Sequence, residues 1–226
     1  MKRKRKSEKD CKPVKKRKHK IVIGIDQSYA DSGIALALDN QLKAVLECKP
    51  STTTSNTERR ALLRKTLVCV FAKAVEKTSE LDDCEVICII ERIRLQSAKP
   101  GTQHFLNLDY IKGIGALNAL IVDLAHEYDI PVYSVDTRSW KVQVTGSSKP
   151  MSNKYGFAEE KWPTIKWCLQ KGYEKYIIEQ VSPRKKKGVV IKNNERYTYN
   201  DNKADAIGIC MYGFLDSSKQ KLEEEH

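Results

Sequence analysis

Residues 21–38, IVIGIDQSYADSGIALAL, constrain the fold more than any other stretch: two apolar runs joined by a polar turn, with one carboxylate closing the first run. IVIGI is short, branched and continuous, the pattern of a buried strand, and IALAL reads as its returning partner. Asp26 stands where the first run stops being apolar. Taken alone it is either a turn residue, in a segment whose Asp31, Ser32 and Gly33 carry ordinary turn chemistry, or an acid presented at a strand end. The rest of the chain supplies more acids in comparable positions.

At 226 residues and 40% apolar content the chain fits one domain with its own core. No run approaches 18 apolar residues, and the charged start lacks the apolar segment of a signal peptide, so a soluble protein without a membrane partner is expected. Seven cysteines with no CxxC pair suit a reducing intracellular compartment and read as small buried hydrophobes. The net charge of +12 is uneven: residues 1–20 hold twelve Lys or Arg against Glu8 and Asp10, which leaves only +2 for the rest. Such a tail has no means of burying a core and is expected to be disordered. A second basic cluster, Arg184, Lys185, Lys186, Lys187 and Lys192, lies in a Pro- and Gly-punctuated loop or hairpin. Two basic segments on a nearly neutral body point to a polyanion partner.

Along the body, residues 42–48 make a third short strand, completing an antiparallel meander. A helix opens near Thr57, with Leu62, Leu63, Leu67, Val70, Phe71 and Val75 at helical spacing. EVICII, 85–90, is a second buried strand and ends at Glu91. A helix over 105–128 is apolar almost all round from Ile114 to Ala125; Gly113 and Gly115 on it imply close packing against another element or a second subunit. Residues 130–135 form the fifth strand, parallel to its predecessor after a crossover helix. Thr145-Gly146-Ser147-Ser148 has the small residues either of a phosphate loop or of a plain one. A helix over 159–171 tolerates Pro163 only in its first turn, 188–191 and 197–199 form a hairpin, and 200–215 is the last helix. The fold class expected is α/β, a mixed five-stranded sheet, three antiparallel strands then parallel ones, flanked by helices.

Asp205 is the odd member of that last helix, an acid among apolar residues that needs a partner or a metal. Asp201 and Asn202 share its face, and two like charges four residues apart repel unless a cation neutralises them. Asp26, Glu91, Asp201 and Asp205 converge if the first and fourth strands are neighbours. An oxygen-only set favours Mg²⁺ or Mn²⁺, two of which activate a water and stabilise the leaving oxygen of a phosphodiester. Hydrolysis of a nucleic-acid backbone joins that site to the basic segments.

Four motifs, IGIDQSYADSGIAL, IIERI, the WKVQVTGS stretch and DNKADAIGI, in this order of elements, resemble RuvC-type Holliday junction resolvases of the RNase H-like superfamily, particularly phage-encoded and mitochondrial relatives. The resemblance covers most of 21–215. It implies that Asp26, Glu91 and Asp205 are metal-binding acids. The fourth is Asp201, with Asn202 as a neutral ligand or orienting group, and Lys141 matches the family's loop lysine, which binds the scissile phosphate or stabilises charge in the transition state. Arg94 stands where bacterial members tend to carry a wedging aromatic, a departure that bears on strict four-way selectivity. It joins Lys149, Lys154, Arg184, Lys185, Lys186 and Lys187 as a DNA-binding residue. IKGIGALNALIVDLA resembles the helix through which family members dimerise.

The expectation is therefore a metal-dependent endonuclease with a basic tail (1–20), an RNase H-like domain (21–216) and a polar C-terminal tail (217–226). It acts as a homodimer on branched DNA in recombination and repair, with Mg²⁺ or Mn²⁺, two per site, and no small-molecule cofactor. Alternatives are a broader flap and fork nuclease or a non-catalytic branched-DNA binder. An ATPase of the actin and sugar-kinase type shares the IGIDxS opening but needs a second lobe that this length does not offer.

Overall fold

In β1 (His19–Asp26) the side chains alternate between two buried faces, and that alternation decides where the chain's acids point. The computed structural model describes residues 18–28, 31–51, 53–92, 108–181 (108–110 as backbone), 187–215, 220 and 222–225. After β1 come β2 (Ser32–Leu38), β3 (Gln41–Cys48), α1 (Asn56–Ser79), β4 (Cys84–Glu91), α2 (Leu108–Glu127), β5 (Val132–Val135), α3 (Thr137–Thr145) and α4 (Trp162–Gln170). Then follow α5 (Glu174–Ile177), β6 (Ile178–Gln180), β7 (Val190–Lys192), β8 (Glu195–Tyr199), α6 (Asp201–Tyr212) and β9 (Leu222–Glu225).

The main sheet runs β3-β2-β1-β4-β5-β9. β1, β2 and β3 form the antiparallel meander, and β4 and β5 are added parallel. The expected five strands are all present, and a sixth joins them: β9, inside the segment taken for a polar tail, pairs antiparallel with β5. Its sequence, LEEE, has no strand-forming pattern; what recruits it is the open edge of β5, whose backbone groups need partners. A second sheet, β6-β8-β7, contains the expected hairpin. Asn193 and Asn194 at its tip both have positive φ, as its two-residue turn requires.

Two cores flank the main sheet. Ile21, Ile23 and Ile25 of β1 pack with Cys88 and Ile90 of β4 against Leu63, Leu67 and Phe71 of α1 and Ile121 and Leu124 of α2. On the other face Val22, Ile87 and Ile89 pack against Ile207 and Tyr212 of α6, Trp140 of α3 and Ile165 of α4. Each fully buried side chain of this size contributes roughly 1.5–3 kcal/mol. Ala204 to Tyr212 are all buried, because α6 lies between the sheet and the outer helices.

Two glycines let α6 approach that closely. A Cβ on Gly24 of β1 would lie 2.3 Å from the Cys210 nitrogen, and one on Gly33 of β2 would lie 2.2 Å from the Asn202 carbonyl oxygen. The helix backbone therefore rests directly on the strand backbones.

Several expectations are corrected. α1 begins one residue earlier, capped by Ser55 in a capping box with Glu58, and Leu62 and Val75 are partly exposed while Ala74 takes a core position. Gly115 does not pack against another element among the described residues: a Cβ there would have no described neighbour within 4 Å, which leaves the second subunit as its expected partner. Residues 137–145 form a helix, so the Thr145–Ser148 run is its C-terminal end, and Ser148 lies at the cavity described below. Gly146, at φ 82°, gives its N–H to the Val142 carbonyl, and a helix C-terminus repels anions. No helix among the described residues is long and apolar enough to cross a membrane.

Candidate active site

Asp26 lies on the same face of β1 as Val22 and Gly24, and Glu91 on the same face of β4 as Ile87 and Ile89. Because the two strands are parallel neighbours in register to Ile25 and Ile90, both acids emerge together on the α6 side. Past that point the ladder is continued by a side chain. The Gln27 amide accepts from the Glu91 N–H at 3.0 Å and donates its own N–H to the Glu91 carbonyl. Gln27 is buried, so it ties the two strand ends together where water would otherwise separate them.

α6 supplies Asp205. Asn200 caps this helix by accepting from the Lys203 N–H at 2.9 Å, and its amide also donates to Glu47 at 2.6 Å and Glu179 at 2.9 Å. With Gly33 seated under Asn202, the first turn of α6 is fixed against β2 directly opposite Asp26, which pairs with Gly33.

Asp26, Glu91 and Asp205 line one open cavity of about 860 Å³ together with Gln27, Lys141 and Lys161. Lys141 Nζ stands 3.2 Å from Asp205 Oδ2, and Lys161 Nζ lies 3.7 Å from the same oxygen and 3.0 Å from Asp201 Oδ2. The cation that the Asp201–Asp205 pair needs is thus, in this structure, a lysine. Trp140 donates its indole N–H to Glu91 Oε1 at 2.9 Å.

The electrostatics follow from burial. Desolvation, then the charges of Asp205 and Glu91, hold the Asp26 carboxyl well above the usual carboxylate range. Desolvation also raises Glu91, against the hydrogen bond from Trp140. Burial by itself would lower the Lys161 ammonium, but Asp205, Asp201 and Asp26 outweigh it and hold it above the ordinary lysine range.

The donor chemistry fits a hard divalent cation. All three acids are oxygen donors, two are uncomfortable as bare anions, and Asp205 Oδ1 is buried without a hydrogen-bond partner among the described residues. No group of three or more His, Cys, Asp or Glu side chains among the described residues forms a ready metal cage as placed. Two ammonium groups supply the balancing charge instead.

Of the residues singled out by sequence, Asp26, Glu91, Asp205, Lys141 and Lys149 line the cavity. Asp201 does not: its side chain is 40% exposed at the rim and held by Lys161. Asn202 does not either, and its carbonyl faces Gly33. Lys154 sits over the Tyr155 ring, and Lys187 is exposed beside Gly188. Arg94, Arg184, Lys185, Lys186 and the tail to residue 17 lie outside the described residues. Sequence reasoning missed Gln27 and Lys161, and it took in Trp140 only as the first residue of the WKVQVTGS stretch. The one signal for Gln27 was its place directly after Asp26; Lys161 stood unremarked before an apolar helical run.

By sequence, no family model and no curated protein matches the chain. By structure, it is similar to RuvC of Thermus thermophilus, with a TM-score of 0.50 and 14% identity over 91% of this chain and 99% of that one. The structure of T. thermophilus RuvC in complex with a Holliday junction substrate matches with a TM-score of 0.47 and 12% identity, over 84% of this chain and 90% of that one. At such identities the likeness speaks for architecture. The meander, the parallel strands β4 and β5 and the helices on both faces give this chain a RuvC-type fold.

Proposed function

We propose that this protein is a metal-dependent endonuclease that nicks branched DNA, with the four-way junction as its main substrate. The observation that carries the reading is the gathering of Asp26, Glu91 and Asp205 with Lys141 and Lys161 in one open cavity of a RuvC-type fold. Asp26, Glu91 and Asp205 would hold Mg²⁺ or Mn²⁺, with Asp201 reaching in from the rim. Bound there, the ions would lower the pKa of a water and stabilise charge on a phosphodiester in displacement.

The protein's own groups do the rest. Gln27 holds the spacing between the carriers of the first two acids. Lys141 and Lys161 pair with Asp205, and their ammonium groups are suited to take up charge on a phosphate oxygen. Lys149 extends the positive lining toward the DNA backbone, with Lys154, Lys187, Arg94 and the 184–186 run as further phosphate contacts.

Dimerisation through α2 is part of the proposal. Gly115 and Ala119 are exposed one turn apart, a small-residue face that a second α2 can approach closely. A two-fold axis there gives paired sites and symmetric nicks.

The test is cleavage of a synthetic four-way junction, a flap and a linear duplex with Mg²⁺, Mn²⁺ or chelator, by wild type and Asp205→Asn. Metal-dependent paired nicks confined to the junction, absent from the variant, support a resolvase. Equal cleavage of the flap makes it a broader debranching nuclease. Binding without metal-dependent nicking overturns the catalytic reading. Affinity should also fall steeply with salt, by about 0.9 log units per log unit of salt for each phosphate contact.

A further inference from the structure

We propose that Trp140 is the positioning residue for Glu91: its indole N–H selects which carboxylate oxygen faces the cavity, and its ring sets that carboxylate against the seat of α6. The inference rests on the metal-site reading above and adds to it the part that aims the second acid.

Trp140 is fully buried, and its one polar atom donates to Glu91 Oε1 at 2.9 Å. An indole N–H only donates and carries no charge, so it pins one oxygen of the acid without neutralising it. Thr137, one turn earlier on α3, adds a hydrogen bond to the same carboxylate. α3 is itself rooted: Asp136 caps it by accepting from the N–H groups of Arg138 and Ser139, directly after β5, whose Val135 pairs with Glu91. The donor and the acid it holds are therefore fixed to the same pair of strands.

The far side of the ring meets α6. A Cβ on Gly208 would lie 2.4 Å from Trp140 Cζ3 and 3.1 Å from Cε3 and Cη2, so the ring rests on the helix where only glycine fits. Gly208 follows Asp205 by three residues and shares its side of the helix. Any displacement of α6 thus presses on the indole that holds Glu91, and the two acids move as a unit. Packing alone does not call for this side chain, since phenylalanine would fill most of the slot; the N–H has its use at the carboxylate. Outer hydrogen bonds of this kind typically govern metal affinity by 10–100-fold.

The experiment is calorimetric titration of the full chain with Mn²⁺, without DNA, for wild type, Trp140→Phe, Gly208→Ala and Glu91→Gln. Thermal unfolding in chelator is measured alongside. Trp140→Phe keeps the ring and loses the N–H; Gly208→Ala keeps the N–H and displaces the ring. Each is expected to weaken Mn²⁺ binding by about 10-fold or more while still unfolding cooperatively. In a Glu91→Gln background, Trp140→Phe should add little further loss, because both changes remove one interaction. If wild type binds Mn²⁺ and either folded variant binds it equally well, Trp140 is core and nothing more. If wild type binds no Mn²⁺, the metal-site reading falls and this inference with it.

Discussion

Replacing Gly33 by alanine should damage the site from a position outside the cavity lining, which meets Asp26 through strand pairing alone. The added methyl would lie 2.2 Å from the Asn202 carbonyl oxygen and 2.6 Å from its carbon, both backbone atoms, whereas ordinary contact begins near 3.4 Å. The difference means that the first turn of α6 must back away by about 1.2 Å, and Asp205 lies on the next turn. Overpacking of this kind costs roughly 1–3 kcal/mol. For a chain of this size that lowers Tm by about 2–12 °C, leaving the protein folded at 25 °C. Activity should suffer more, because a misplacement of about 1 Å at a reacting centre costs on the order of 100-fold. Single-turnover nicking of a four-way junction at saturating Mn²⁺, with thermal unfolding of the same preparation, measures both. A variant that nicks at the wild-type rate, with Tm within about 1 °C, would refute the claim that glycine contact sets the distance between Asp205 and Asp26.

In chelator, the raised carboxyls of Asp26 and Glu91 mean that the folded state holds protons the unfolded state has lost. Stability should therefore increase as pH falls from neutral through those raised values toward the ordinary carboxylate range near about 4; Asp26→Asn should flatten the rise and unfold at a higher Tm at pH 7.5, and a wild-type Tm that only falls on mild acidification counts against it. Mn²⁺ at about 100 times its Kd should add roughly 2.7 kcal/mol, or about 5–11 °C in Tm, to wild type and much less to Asp26→Asn. Gln27→Glu removes the donor to the Glu91 carbonyl and sets a carboxylate against it; a loss of about 1–3 kcal/mol with slower nicking is expected, and a neutral result in denaturant titration would show that the clamp is dispensable. Ala119→Arg should convert dimer to monomer in analytical ultracentrifugation and turn paired nicks into single ones; paired nicking by a monomeric variant would remove α2 from the interface.

Much of the site was legible before the fold. Hydrophobic continuity identified β1 and β4 and showed that each ends at an acid, because a buried parallel strand admits no charge until it leaves the sheet. Asp205 stood out for the converse reason, a charge in an otherwise apolar helix. Residues 137–145 were not legible as a helix: TRSWKVQVT buries only Trp140, and it is the Asp136 cap, together with that single anchored ring, that holds it. Nor was β9, which the open edge of β5 recruits, with Leu222 packed against the core and Glu223 paired with Arg92.

What the sequence determined by itself is therefore the five main strands, the longer helices and which acids stand at strand ends or among apolar residues, since burial pattern and charge are local properties of the chain. What only the tertiary structure decided is their convergence and their company. Gly24 and Gly33 count for little until α6 lies on them. Lys161, 44 residues before Asp205 in sequence, becomes its neighbour only when α4 packs beside α6. Asp201 shares a helix face with Asp205 and still stays at the rim, because the depth of a side chain is set by what covers it, and the covering elements come from distant parts of the chain.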